Sequence, residues 1–161
     1  MSQTHKIHAT CVARRTPHGM AAVVLRGPSG AGKSDMALRL IHEEGATLIA
    51  DDWVVLTRAT SEPSSELLAS PPAVLEGLLE VRGLGLIKQS FVSSIPVKLI
   101  VDLVDRAEMP RLPEPAFEVV MESKVPKIKI SAFDITSPLK VCWALDCLPE
   151  RGFPEEDGIF R

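Results

Sequence analysis

An α/β fold with a mixed sheet is expected from three observations. Apolar, β-branched runs of strand length recur through the chain, among them "MAAVVLRG", "ATLIADD" and "VKLIVDLV". Two other segments, beginning at Lys33 and at Pro138, carry helical spacing instead. And "MAAVVLRG" runs into the first of those helices through a glycine-rich turn, "GPSGAGKS". Strand, glycine loop and helix in that order make up a phosphate-binding α/β unit.

The elements follow in chain order. "KIHATCVA" is short and partly β-branched and reads as a strand, "RRTPHG" as a turn, and "MAAVVLRG" as a buried strand that pairs back as a hairpin. From Lys33, the residues Met36, Ala37, Leu40 and Ile41 share one helical face, and Gly45 is placed to cap its end. "ATLIADD" is a strand with both carboxylates at its C-terminal end, and "WVVLT" continues extended. "SEPSSE" is loop and "LLASPP" a short strand ended by Pro71 and Pro72. In "AVLEGLLEVRGLGLIK", Gly77, Gly83 and Gly85 argue against one long helix. "VKLIVDLV" is a strand, and "DRAEMPRLPEP", with three prolines in eleven residues, is loop. "FEVVMESKVPKIKIS" reads as one or two strands broken near Pro126. Ser137 as N-cap and Pro138 as first helical residue open a final helix to Leu148, on which Trp143 is out of step with the apolar stripe.

Composition narrows the function. The 161 residues suit a single domain, 1–161, with 149–161 as a loose tail. A net charge of −3 without a basic stripe argues against nucleic acid as partner. No apolar run approaches the ~18 residues of a membrane span, and the N-terminus lacks a signal peptide's apolar core, so a cytoplasmic location is expected. The three cysteines, an odd number without CxxC spacing, read as small buried hydrophobes.

The glycine loop carries the first chemistry. Gly27, Pro28, Ser29, Gly30, Ala31, Gly32, Lys33 and Ser34 match G-x-x-x-x-G-K-[ST] throughout. Glycines let successive backbone N–H groups turn inward, and the helix that follows adds the positive end of its dipole. Lys33 brings a compact charge to the outer phosphates, and the Ser34 hydroxyl can ligate Mg²⁺. Asp51 and Asp52 return beside this loop if their strand is a parallel neighbour of the loop's own. Successive strand residues face opposite ways, so one of the two can meet the metal and the other the attacking hydroxyl. In "LEVRGLGLIK", Glu80 and Arg82 share a face on an extended backbone, a pair suited to metal or phosphate.

"GPSGAGKS", "ADD" and "LEVRGLGLIK" together resemble the catalytic domain of the HPr kinase/phosphorylase family, from about His8 to Ile130. The third motif is close to that family's signature, E-[IV]-R-G-[LI]-G. The resemblance implies a P-loop kinase fold of the phosphoenolpyruvate-carboxykinase-like type, in a short proteobacterial-type form without the N-terminal domain. It implies ATP as donor, Mg²⁺ as cofactor, and a serine of the phosphocarrier HPr as acceptor. By the same resemblance His8 is an active-site histidine, preferred to His18 in the turn, across a hairpin loop expected to be longer than usual. Lys33 holds phosphate, Asp51 accepts the serine proton, and Asp52 supports it, as does Arg82. Ser34 and Glu80 are the Mg²⁺ ligands, and Arg111, in "MPRLPEP", is a catalytic arginine. Family members form hexamers, so homo-oligomerisation is an expectation. The loop after Arg111 and the final helix are candidate HPr surfaces.

One departure stands out. The family follows a segment like "VPKIKI" with "PVRPGRN", a loop tied to dephosphorylation, where this chain has "SAFDITS", 131–137. Both arginines are absent, and the carboxylate of Asp134 repels phosphate, so weakened phosphorolysis of phosphoserine-HPr is expected. The alternative reading is a nucleotide-dependent switch that binds a partner without turnover.

Overall fold

The computed structural model describes residues 3–60, 62 and 64–160. The expected loop over 61–66 includes Ser61 and Pro63, which lie outside the described residues. The chain opens with β1 (Gln3–His8), β2 (Thr10–Thr16) and β3 (Gly19–Arg26), then α1 (Lys33–Glu44), β4 (Thr47–Ala50) and β5 (Trp53–Arg58). After β6 (Leu67–Ser70) come β7 (Leu78–Val81), β8 (Gly85–Lys88) and β9 (Ile95–Leu103). Finally β10 (Phe117–Val120) and β11 (Ser123–Ile130) precede α2 (Ser137–Arg151). The architecture is the mixed-sheet α/β fold expected.

The main sheet runs β1-β5-β6-β9-β3-β2-β4, and β11 also joins β9 and carries β10 on its own outer edge. It forks at β9, where the first residues pair antiparallel with β6 and the last pair parallel with β11. Both helices pack on one face, where Met36, Ala37, Leu40, Val141 and Leu145 meet Val12, Val23, Leu25 and Val101. The alternate residues Cys11, Ala22 and Val24 join Val54, Leu56 and Leu67 in a second core on the other face. With both faces covered, the strands read as continuous apolar runs and not as alternating ones. None of the described helices is long and apolar enough to cross a membrane.

The run "KIHATCVA" is not one strand. At Ala9 the chain changes partners, from β5 for residues 3–8 to β3 and β4 for residues 10–16. The Ala9 N–H donates to the Asp52 carbonyl at the crossing. The expected turn "RRTPHG" contracts to Pro17 and His18, because Arg14, Arg15 and Thr16 stay in the β2–β3 ladder. The long hairpin loop expected before β3 is therefore absent. Gly45 does cap α1, left-handed at φ 71°, with its N–H on the Leu40 carbonyl.

β4 is not a direct neighbour of β3. β2 lies between them, antiparallel to both, so β3 and β4 still run the same way and end on the same edge of the sheet. That is the condition Asp51 and Asp52 need to return to the glycine loop. The break in "FEVVMESKVPKIKIS" falls at Met121 and Glu122, both at positive φ, and not at Pro126. Pro126 precedes the first residue of β11 to pair with β9, so no bond of that ladder is lost. α2 is capped at Thr136, not Ser137, whose hydroxyl donates back to the Ser131 carbonyl. Trp143 is exposed. The helix runs on through Pro149 to Arg151, and beyond it Phe153 packs edge-on against Phe117.

Just ahead of the glycine loop, Arg26 ties β3 to its neighbours. Its guanidinium donates to both oxygens of Asp102 and both of Glu118. The bonds from Arg26 hold the Glu118 carboxyl below the usual glutamate range, against the opposing pull of its partial burial. A carboxyl depressed in the folded state stabilises the fold above its unfolded pKa, and that contribution disappears as pH falls through the folded value. Acid unfolding below about pH 4 is therefore expected to be less steep in Arg26→Met than in the parent. Thermal unfolding at pH 7 and pH 3 measures the difference.

Candidate functional site

Leu25 and the strand around it are buried, which holds the start of the glycine loop still at the sheet's C-terminal edge. Gly32 sits at φ +95°, and a Cβ there would lie 2.8 Å from the Ala132 Cβ, so only glycine fits. Lys33 folds back over the loop, its Nζ donating to the carbonyls of Gly27 (2.6 Å) and Pro28 (3.2 Å). The loop bounds a cavity of about 430 Å³, lined at one end by His8, Thr10, Ser34, Asp51, Asp52 and Glu80. Leu38, Val81, Arg82 and Phe133 line it elsewhere. Ser29, Gly30, Gly32 and Lys33 face into it, whereas Gly27, Pro28 and Ala31 do not, and Ala31 packs on the core.

Asp51 and Asp52 have very different surroundings. Asp51 is buried, and its carboxylate accepts four donors. The Thr10 hydroxyl (2.8 Å) and the Asp52 N–H (3.0 Å) reach Oδ1, and the Glu80 N–H (2.9 Å) reaches Oδ2. The Ser34 hydroxyl straddles both oxygens at 2.9 and 3.1 Å. A carboxylate has about four lone-pair sites, and here all are used. Asp52 is at the cavity mouth, exposed, in a left-handed bend at φ 69°. Its Oδ1 lies 2.7 Å from His8 Nε2. The bend after Ala50 turns the second carboxylate away from the core and toward solvent.

The change of partners at Ala9 is what furnishes both acids. His8 and Thr10, two apart on an extended backbone, project the same way, and each meets one of the carboxylates. The Trp53 ring stands edge-on to the His8 imidazole at 5.1 Å, which restricts its rotation. Thr10 and Trp53 were not read as site residues. Neither carries a motif: the β1–β5 pairing sets Trp53 beside His8, and the β2–β4 pairing sets Thr10 beside Asp51.

Glu80 and Arg82 both reach the cavity, but not by sharing a strand face. Glu80 is the third residue of β7, and Arg82 lies in the turn to β8, which folds "LEVRGLGLIK" into a hairpin. Arg111 is exposed in the loop before β10 and does not line the cavity. Asp134 does not face the cavity either. Its carboxylate turns to Arg106 and Lys140, so the repulsion expected from it has no access to the phosphate site. Phe133 is the residue of that segment which the cavity meets.

The donors suit Mg²⁺. Among the described residues no cluster of three or more His, Cys, Asp or Glu forms an all-protein metal cage. Mg²⁺ needs none, because it keeps water and takes one or two protein oxygens plus substrate phosphates. Ser34 and Glu80 offer such oxygens at the edge of the glycine loop, with Asp51 fixing the Ser34 hydroxyl.

The glycine loop between β3 and α1, with an acid from β4 bonded to its serine, defines a P-loop domain of the mixed-sheet α/β class. The family model of the HPr Serine kinase C-terminal domain matches residues 1–137. The chain belongs to that family. It is also similar to a solved structure of the Hpr(Ser) kinase/phosphatase from Coxiella burnetii, with a TM-score of 0.70 and 26% identity. That match covers 86% of this chain and 87% of the other.

Proposed function

We propose that this domain transfers the terminal phosphoryl group of ATP to a seryl hydroxyl of HPr. The observation that carries the proposal is the pair of unlike aspartates. One is buried and bonded to the P-loop serine, and the other is open at the mouth and paired with a histidine. Family membership supplies the acceptor.

The polyphosphate occupies the loop at 27–34, in the field of its N–H groups and the α1 dipole. Lys33, whose Nζ donates to the Gly27 and Pro28 carbonyls, brings its charge to the phosphates held by the loop. Ser34 and Glu80 would hold Mg²⁺, which would supply positive charge to offset that of the phosphate oxygens. The seryl Oγ forms its bond to the terminal phosphorus as the bridging oxygen leaves with ADP.

The seryl proton passes to Asp52. The resemblance suggested Asp51 for this task, but its four donors leave it no lone pair for a fifth. Asp52 has a free oxygen edge at the mouth, and His8 orients it. Asp51 instead fixes Ser34 and the β7 backbone. Arg82 lines the same cavity and supplies positive charge there, whereas Arg111 is not among the lining residues. Forward transfer dominates over phosphorolysis, since residues 131–137 carry no arginine to hold inorganic phosphate.

Lys33→Ala removes the cation that is bonded to the Gly27 and Pro28 carbonyls of the loop. Nucleotide affinity and transfer rate are both expected to fall, by about tenfold or more each. Binding titration and initial-rate assays measure them. The function itself is tested by HPr-dependent consumption of Mg-ATP. Turnover that requires HPr supports the kinase, whereas binding without consumption makes the domain a nucleotide sensor.

A further inference from the structure

Phe133 is an aromatic residue with more than two-thirds of its surface exposed, in a loop that is otherwise tightly held. The Arg39 guanidinium, from the middle of α1, donates to the carbonyls of Ala132 (2.6 Å), Asp134 (2.8 Å) and Ile135 (3.3 Å). The buried Ser137 hydroxyl closes the loop onto the Ser131 carbonyl. The ring so fixed lies against the phosphate loop, within 3.1 Å of where a Gly32 Cβ would stand. What sets Phe133 apart from the other exposed apolar side chains is its place: it lines the cavity, against the phosphate loop, on a backbone held by Arg39 and Ser137.

The topology says which part of a nucleotide would cover it. β3 delivers the phosphate loop. On one side of β3 lie β2 and β4, whose ends bring Thr10, Asp51 and Asp52. On the other side lie β9 and β11, parallel to β3, and the 131–136 loop leaves the end of β11. The transferring phosphate faces the carboxylates. The remainder of the nucleotide therefore extends to the opposite side of the cradle, along the first turns of α1. Leu38 and Phe133 line the cavity there.

We propose that Phe133, with Leu38 lining the same cavity, is the platform on which the nucleotide base stacks. This rests on the kinase reading above and adds its base subsite. The same geometry bears on which bases are accepted. Edge recognition needs donors and acceptors aimed at the base, and Arg39 takes one lone pair from each of the Ala132, Asp134 and Ile135 carbonyls and fixes their direction toward α1. The Asp134 carboxylate faces Arg106 and Lys140. The subsite offers a ring face with little edge readout, so adenine and guanine nucleotides bind with similar affinity.

Calorimetric titration of the whole chain with Mg²⁺ and ATP, GTP or inorganic tripolyphosphate tests this in the parent, Phe133→Ala and Phe133→Trp. Loss of one stacked base corresponds to about 5- to 150-fold in affinity. Phe133→Ala is expected to weaken ATP and GTP by that range, to leave tripolyphosphate unchanged, and to be rescued by Phe133→Trp. Equal weakening of ATP and tripolyphosphate would show that the ring acts on phosphates and would overturn the subsite. So would unchanged ATP affinity, or a parent preference between ATP and GTP above about a hundredfold. A parent chain that binds tripolyphosphate but neither nucleotide also overturns it, while one that binds none of the three overturns the kinase reading itself.

Discussion

Asp52→Asn is expected to reduce phosphoryl transfer to HPr by about 10²- to 10⁴-fold, the usual contribution of a positioned general base. The amide keeps the shape and a hydrogen bond to His8 but cannot take a proton at neutral pH. Asp52 is exposed, and among the described residues its side chain pairs with His8, so the fold has little stake in its charge. Melting temperature should stay within a degree or two. Mg-ATP affinity should change by less than about tenfold, because the contact matters once the acceptor arrives. Single-turnover transfer at saturating ATP, with a parallel binding titration, separates these quantities.

Asp51→Ala is expected to fail differently, losing transfer and stability together. Its removal strands the fully buried Thr10 hydroxyl and the N–H groups of Asp52 and Glu80, all of which end on this carboxylate. Each buried polar group left unpaired costs about 1–3 kcal/mol. Even partial rescue by water leaves a drop in melting temperature of about 5–10 °C for a chain of this length. Ser34 also loses the partner that aims its hydroxyl, so Mg²⁺-dependent nucleotide affinity falls as well. The contrast between neighbouring aspartates is the sharper test. If the two variants behaved alike, the division of roles would be wrong.

The glycine loop, the helix after it and the Gly45 cap were readable because each rests on local rules: a spacing, a periodicity, a residue free to adopt positive φ. The different surroundings of Asp51 and Asp52 were not readable. They depend on a single left-handed bend at Asp52 and on a change of strand partner at Ala9, forty residues earlier in the chain. Nothing in "HATC" marks Ala9 as that point, because both halves have strand composition and only pairing tells them apart. The intervening β2 was hidden for the same reason, since strand order is set by contacts between distant segments. "SAFDITS" was read for what it lacks. The structure turns its charge outward to Arg106 and Lys140 and its aromatic ring inward to the cavity, a choice made by Arg39 from another element. Arg111, placed in the site by a short local likeness, lies exposed in the loop before β10 and is not among the residues that line the cavity.

The most direct test of the central claim is to incubate the protein with Mg-ATP and HPr and to locate the transferred phosphate by mass spectrometry. The account predicts phosphate on one serine of HPr with the parent chain and at most about a hundredth as much with Asp52→Asn. An HPr that stays unmodified, or equal labelling by the parent and Asp52→Asn, would contradict it.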